Sequence, residues 1–347
     1  MCELWDKLKN TEKPILLYGM GNGADKIYNE LSSLNINISG VFSTAEFVRD
    51  KTVYGFKLSS YEEMKQKFKS FIVLVCFGTN RSEVFEEISR IASEQELYFP
   101  DVPVYGSDVF NLDFAKAHKK ELLYVYNLLS DEKSRKTFEN TVLYKLTGKC
   151  DYLYDIEEDY NEPFETFFPL SKNESYLDLG AYTGDTVTDF LNRVNSYKEI
   201  IAVEPNPRSF KKLCENTKNV ENIINVNKYI SDNKGEIQIS TGHGRGTSSV
   251  KKGVSVLCDT ADNIAQGKNI TFLKADVEGE ELKMIKGASN IIKSGNAKLQ
   301  IACYHKSDDL WTIPKAVLEI SDNYNIYMRH FPYLPAWDTN FYFVPKR

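Results

Sequence analysis

"ESYLDLGAYTGDTVTDF", residues 174–190, reads as an apolar strand, a glycine turn and the start of a helix. Such a turn lets a backbone come close to a ligand at the end of a parallel strand. A second stretch, "ILLYGMGNGADKIYNEL" (15–31), has the same outline. Which turn serves a site, and for what ligand, depends on what stands at the end of the next strand.

After the turn at Gly180 the next strand ends "IIAVEPNPRSF", placing Glu204 24 residues after Gly180. A carboxylate there can accept both hydroxyls of a ribose. Asp178, Gly180 and Gly184 form D-x-G-x-x-x-G, and Gly180 and Ala181 leave room above the strand end. Asp178 offers a carboxylate to a cationic group, while Asp185 and Thr186 are candidate caps for the helix that follows. Tyr182, Pro205 and Asn206 complete the two loops. A third segment, "ITFLKADVEGEELKMIKGA", ends a strand at Asp276 and opens an amphipathic helix at Glu278-Gly279. The ligand profile is a ribose joined to a positively charged amino-acid tail, without a pyrophosphate clamp. S-adenosylmethionine fits it.

The first turn is less complete. Gly19, Gly21 and Ala24 fit G-x-G-x-x-G/A, the dinucleotide pattern. Its second strand, "ISGVF", runs into Ser43 and Thr44, with Glu46 later than a ribose partner should be. A nucleotide or nucleotide-sugar site, redox use, or a structural or partner-docking role all remain open for it.

Strands alternating with helices on both sides of a helical stretch imply two α/β units. We place a domain of unknown ligand at 1–112, linking helices at 113–165 and a second β/α series at 166–347. Ser130 is the expected cap of a helix beginning in "LSDEKSR". Strands are expected at "SYLDL", "EIIAVE", "NIINVN", "ITFLKAD" and "LQIACYH". "YNIYMRH" and "NFYFVP" should form an antiparallel pair at one edge of the parallel sheet.

"YLDLGAYTGDTVTDF", "AVEPNPRSF", "LKADVEGEELKMIKGA", "CYHKSDDLWTIP" and "IYMRH" resemble, in this order, the FkbM family of S-adenosylmethionine-dependent methyltransferases. The resemblance covers about 165–347. It implies a class I methyltransferase fold with a seven-stranded, mostly parallel α/β sheet, here preceded by a smaller Rossmann-like α/β domain. It also implies methyl transfer to a hydroxyl of a sugar or natural product. One departure is "CDTADNI", where Ala261-Asp262 replaces the family's Leu-Asp.

A hydroxyl acceptor benefits from a general base. Of the four histidines, His305 ends the fifth strand and His330 the sixth, whereas His118 and His243 lie in the linker and a polar loop. His305, Asp276 and His330 are the candidate bases. Glu278, Lys306, Arg329 and Trp337 are candidate substrate contacts, the lysine and arginine suiting an anionic group. Asp276, Glu278, His305 and His330 offer oxygen and nitrogen donors, but their spacing selects no metal and none is assigned. Aromatic residues in "FPYLPAWDT" suit a sugar ring, and "GHGRGTSS" reads as a flexible loop.

Composition narrows the partners. The chain has 347 residues and a net charge of −6, against the basic surface that nucleic-acid binding requires. Its six cysteines show no C-x-x-C spacing, as expected for reduced thiols. The start "MCELWDKLKNTEK" lacks a signal-peptide pattern, and no apolar run approaches the ~20 residues of a membrane span. A cytoplasmic enzyme acting on a small-molecule or saccharide substrate is expected, with a homo-oligomer left open. Methylation of nitrogen on an amino sugar or phosphoramidate-like group, and a non-catalytic cofactor or nucleotide-sugar binder, are the rival readings.

Overall fold

The structure is a computed structural model that describes residues 3–44, 50–239 and 253–346. Glu46, His243 and the "GHGRGTSS" loop lie outside the described residues.

In the N-terminal part, four-residue apolar runs become strands buried on both faces, the condition of a covered parallel sheet. β1 (Ile15–Tyr18), β2 (Gly40–Ser43), the hairpin strands β3 (Thr52–Val53) and β4 (Phe56–Lys57), β5 (Ser59–Ser60), β6 (Ile72–Val75) and β7 (Glu96–Tyr98) follow in order. Five of them form a parallel sheet, β5-β2-β1-β6-β7.

The second sheet is built from β8 (Ser175–Leu179), β9 (Glu199–Val203) and β10 (Ile223–Val226). Next in sequence come the short β11 (Tyr229–Ile230), β12 (Gly235–Ile239) and β13 (Val254–Asp259), which make a separate three-stranded sheet. β14 (Phe272–Ala275), β15 (Lys298–Ala302), β16 (Tyr324–His330) and β17 (Thr339–Pro345) complete the order β10-β9-β8-β14-β15-β17-β16. This is the expected seven-stranded sheet, parallel except at β17. As expected, β16 and β17 form an antiparallel pair at one edge of the sheet, with β17 lying between β15 and β16. Along each parallel strand alternate side chains enter different layers, as a period of two dictates. Leu177, Ile201, Leu273 and Leu299 enter one core. Tyr176, Ile200 and Phe272 enter another with Phe168 and Phe190.

The linking segment forms helices at Leu112–Ala117, Lys119–Leu128, Glu132–Thr147, Asp151–Tyr154 and Glu162–Thr166. Asp131, not Ser130, caps Glu132–Thr147, its carboxylate accepting from Ser134 N. Ser130 is used elsewhere, its hydroxyl accepting from Ile326 N at 3.0 Å on the open side of β16. Edge-strand amides need partners, and a serine just ahead of a helix can reach one.

The two sheets are joined by backbone. Thr79 N donates to Leu334 O at 2.7 Å and Leu334 N returns a bond to Thr79 O at 2.9 Å. Tyr105 N donates to His305 O at 2.9 Å, and Ser307 Oγ donates to Asp108 O. Among the described residues no helix is long and apolar enough to cross a membrane.

Candidate active site

Strand order reverses between β8 and β14, since β9 and β10 extend one way and β15 and β17 the other. A crevice opens outside the carboxyl ends of parallel strands at such a switch point. Three of the segments singled out in the sequence end there.

The turn after β8 is held by its own backbone. Gly180 N and Ala181 N both donate to Val203 O, at 3.0 and 2.9 Å, and Gly184 N donates to Ala181 O at 2.7 Å. Gly180, Tyr182 and Gly184 have positive φ values of 86°, 45° and 90°. At Gly180 the demand is steric as well: a Cβ would lie 2.0 Å from Asp276 O. No side chain fits between the two strand ends.

Glu204 faces this turn and is almost fully buried. Its Oε2 accepts from Tyr182 N at 3.0 Å and its Oε1 from Asn206 N at 2.8 Å. Burial pushes its carboxyl up to about 7, against the pull of those two amides. Pro205 precedes Asn206, whose side chain caps the helix Pro207–Asn216.

Asp178 is placed differently from expectation. It is fully buried beneath the turn, where Thr186 Oγ1 donates to its Oδ2. Lys274 Nζ lies 3.5 Å from its Oδ1. The cation expected beside it is thus supplied by the chain. Burial pushes the Asp178 carboxyl up, Lys274 and Thr186 opposing it. Asp185 starts the helix Asp185–Arg193 without a capping bond.

The other wall is "ADVEGE". Glu278 and Gly279 have positive φ, folding the chain so that Glu281 returns under its own turn. Glu281 Oε1 accepts from Val277 N at 3.2 Å and Gly279 N at 3.4 Å. His305 is enclosed, with Nδ1 2.9 Å from Glu281 Oε1 and Nε2 3.3 Å from Asp276 Oδ1 and 3.5 Å from Glu278 Oε2. Burial alone would lower its pKa, but Glu281, Asp276 and Glu278 outweigh burial and push it up to about 10. Tyr304 Oη donates to both oxygens of Asp276, at 3.2 and 3.1 Å. Asp309 is buried behind, its carboxyl pushed up to about 7 by burial and by Glu281.

These facts correct the expectation that His305 acts as a base. Both ring nitrogens face carboxylates, so neither is turned toward an acceptor in the crevice. His330, the other candidate, is fully buried with Nδ1 2.9 Å from Thr339 Oγ1. Burial lowers its pKa to about 3, so it stays neutral inside the sheet. Asp276 remains at the crevice, partly exposed.

The expected substrate contacts divide. Glu278 and Asp276 flank His305. Lys306 Nζ donates to Gly279 O, which fixes the turn rather than leaving the ammonium for a ligand. Arg329 is sealed inside, paired with Asp131 Oδ2 at 2.7 Å and Glu162 Oε2 at 2.8 Å. It ties β16 to the linking helices, so an anionic substrate does not reach it. Trp337 lies against the N-terminal unit, where a Cβ on Gly78 would meet its ring at 2.4 Å. Tyr333 is its ring neighbour, 5.7 Å between centroids. Asp262 accepts from Asn290 N and Ile291 N, at 2.9 and 3.1 Å, which is a structural link between helices.

Lys274, Glu281, Tyr304 and Tyr105 escaped the sequence reading. Glu281 carried a signal: it is the third acid of D-x-E-G-x-E. Tyr105 carried none, because it reaches the site from the other domain. Its ring lies against Gly279, where a Cβ would be 2.9 Å away.

At the first turn, the Phe77 ring would meet a Cβ on Gly19 at 2.7 Å, and Cys76 O would meet one on Gly23 at 2.2 Å. These glycines permit close helix-to-strand packing. A hollow beside them is lined by Tyr18, Phe42, Ser43, Thr44, Tyr61 and Arg90.

Residues 178–329 match the family model described as the methyltransferase FkbM domain. The chain carries an FkbM methyltransferase domain. It is an enzyme of methyl transfer, with S-adenosylmethionine as the donor of its FkbM domain. The buried Glu204 carboxylate beside a glycine-built turn fits such a donor. The FkbM methyltransferase from Methylobacillus flagellatus KT shares the fold with a TM-score of 0.71 at 19% identity, over 95% of this chain and 90% of that one. Aeropyrum pernix fibrillarin, solved with natively bound S-adenosyl-L-methionine, is 14% identical over 50% of this chain and 69% of its own, with a TM-score of 0.33. No curated protein matches the chain.

Proposed function

We propose that the FkbM domain here methylates a hydroxyl of a saccharide, glycoconjugate precursor or related small molecule. The observation that carries this reading is the pair of carboxylates at the switch point. Glu204 stands on the β9 side of the Gly180 turn and Asp276 on the β14 side. Glu204 holds the ribose hydroxyls of the donor, its two oxygens already oriented by Tyr182 N and Asn206 N. Gly180, Ala181, Gly184, Asp185, Thr186 and Pro205 shape the same wall. Asp178 supports it from beneath by fixing Thr186 and Lys274.

S-adenosylmethionine supplies a methyl group on a sulfonium, which leaves by in-line displacement. Much of the rate then comes from holding the acceptor oxygen in line. Asp276 takes the acceptor's proton as the carbon–oxygen bond forms and the carbon–sulfur bond breaks. Tyr304, by donating to both Asp276 oxygens, orients that carboxylate. The aromatic faces of Tyr333 and Trp337 in "FPYLPAWDT" suit a sugar ring.

The test is incubation with labelled S-adenosylmethionine and a panel of nucleotide-sugars and capsular oligosaccharides, with mass spectrometry of the products. Label on a sugar oxygen supports the reading, and label on nitrogen alone overturns it. Asp276→Asn should slow transfer to a hydroxyl about 10²–10⁴-fold, the usual worth of a general base. An acceptor nitrogen would leave it much less affected.

A further inference from the structure

The cluster under the "DVEG" turn holds more acid than one histidine needs. Asp276, Glu278, Glu281 and Asp309 all bear on His305. Asp276, Glu281 and His305 each place one donor atom within 4.8 Å of the other two. One carboxylate oxygen in this group is unpartnered although buried. Glu281 Oε2 has no hydrogen bond, while its Oε1 is fully used by Val277 N and Gly279 N. His305 Nδ1 lies against that oxygen at 2.9 Å. An unsatisfied carboxylate oxygen in the interior is costly and calls for something that uses it.

We propose that Asp276, Glu281 and His305 bind a divalent cation of the Mg²⁺ or Mn²⁺ class beside the acceptor crevice. Two carboxylates and one imidazole suit an oxygen-preferring ion that tolerates one nitrogen ligand. Access is from the Asp276 side, since Glu281 and His305 are enclosed and Asp276 is not. The rigid "DVEG" turn fixes Glu281 before any ion arrives, because two backbone amides already hold its other oxygen. Tyr304 and Glu278 stand next to the ligands and steady Asp276 and His305, as outer partners do around metal sites. The catalytic consequence rests on the reading proposed above: a cation at Asp276 would draw charge from the acceptor oxygen and ease loss of its proton. The binding itself does not depend on that reading.

The full-length chain, stripped with chelator, is titrated with Mn²⁺ alone by calorimetry and electron paramagnetic resonance. S-adenosylhomocysteine is titrated separately into the same preparation. One Mn²⁺ per chain is expected, with affinity falling at least about 10-fold in Glu281→Gln. Asp276→Asn, at a less buried position, should fall likewise and guards against a Glu281 variant that fails to fold. Absence of Mn²⁺ binding up to millimolar concentration overturns the proposal, as does unchanged affinity in a folded Asp276→Asn. Retained S-adenosylhomocysteine binding in that case leaves the methyltransferase reading standing, whereas loss of that binding alone counts against the donor site.

Discussion

Glu204 combines two opposing influences. Burial favours its neutral form, while two backbone amides and the proposed ribose hydroxyls favour the carboxylate. Its carboxyl lies near 7, so the form that accepts two hydroxyls is filled above that pH and lost below it. The dissociation constant for S-adenosylhomocysteine should therefore rise as pH falls from 8 to 6. Glu204→Gln should weaken binding roughly 10-fold or more, as expected for hydrogen bonds to a charged group, and flatten this dependence. Isothermal titration at several pH values checks both. A steep pH dependence that persists in Glu204→Gln would assign the titration elsewhere.

Arg329 shows why residue type alone misleads. A late arginine in a ligand-binding domain suggests an anionic substrate, yet the side chain is enclosed between Asp131, Glu162 and the Phe167 ring. Arg329→Ala leaves Asp131 without its cation and Glu162 with Lys133 alone, and removal of one partner of a buried pair costs about 3–5 kcal/mol. Chemical denaturation should register that loss, with little change in donor affinity for whatever fraction stays folded.

For strands and turns, much could be read in advance. Strands such as "FIVLVCF" are continuous apolar runs, as burial on both faces favours. The sheet β11-β13-β12 was missed because its strands are half-exposed, with Leu257 turned to the surface and Val254 beside it. The antiparallel pair of β16 and β17 at the sheet edge was legible, but an apolar run does not say which of the two lies next to β15. Glu281 was not singled out, since only the positive φ at Glu278 and Gly279 brings it back beneath the turn. The second glycine turn was legible from Glu204, but the steric need for Gly180 was not. That need comes from Asp276, nearly a hundred residues later. Gly180→Ala must either separate β8 from β14 or break the turn, so we expect loss of soluble, donor-binding protein. Thermal denaturation and calorimetry check this. A variant with wild-type stability and affinity would disprove the close approach.

Taken as a whole, the molecule carries ties across the expected boundary near residue 112: Tyr105 lies on the "DVEG" turn and Thr79 pairs with Leu334. Lys145 is buried against Asp101, at 3.1 Å, adding a charged tie between linker and first unit. Contacts of this kind across the whole length imply coupled unfolding. Differential scanning calorimetry should give a single transition, raised by S-adenosylhomocysteine. Two separated transitions, with only one moved by the ligand, would show independent halves. The Methylobacillus flagellatus protein keeps the same architecture over 95% of this chain at 19% identity.

The Thr79–Leu334 junction explains how such an arrangement can persist. Both of its bonds run from backbone to backbone, so they place no demand on either side chain. Neighbouring positions can change during evolution while the two halves keep their alignment. The joint is therefore inherited as a shape, and the walls it brings together are free to acquire new acceptors.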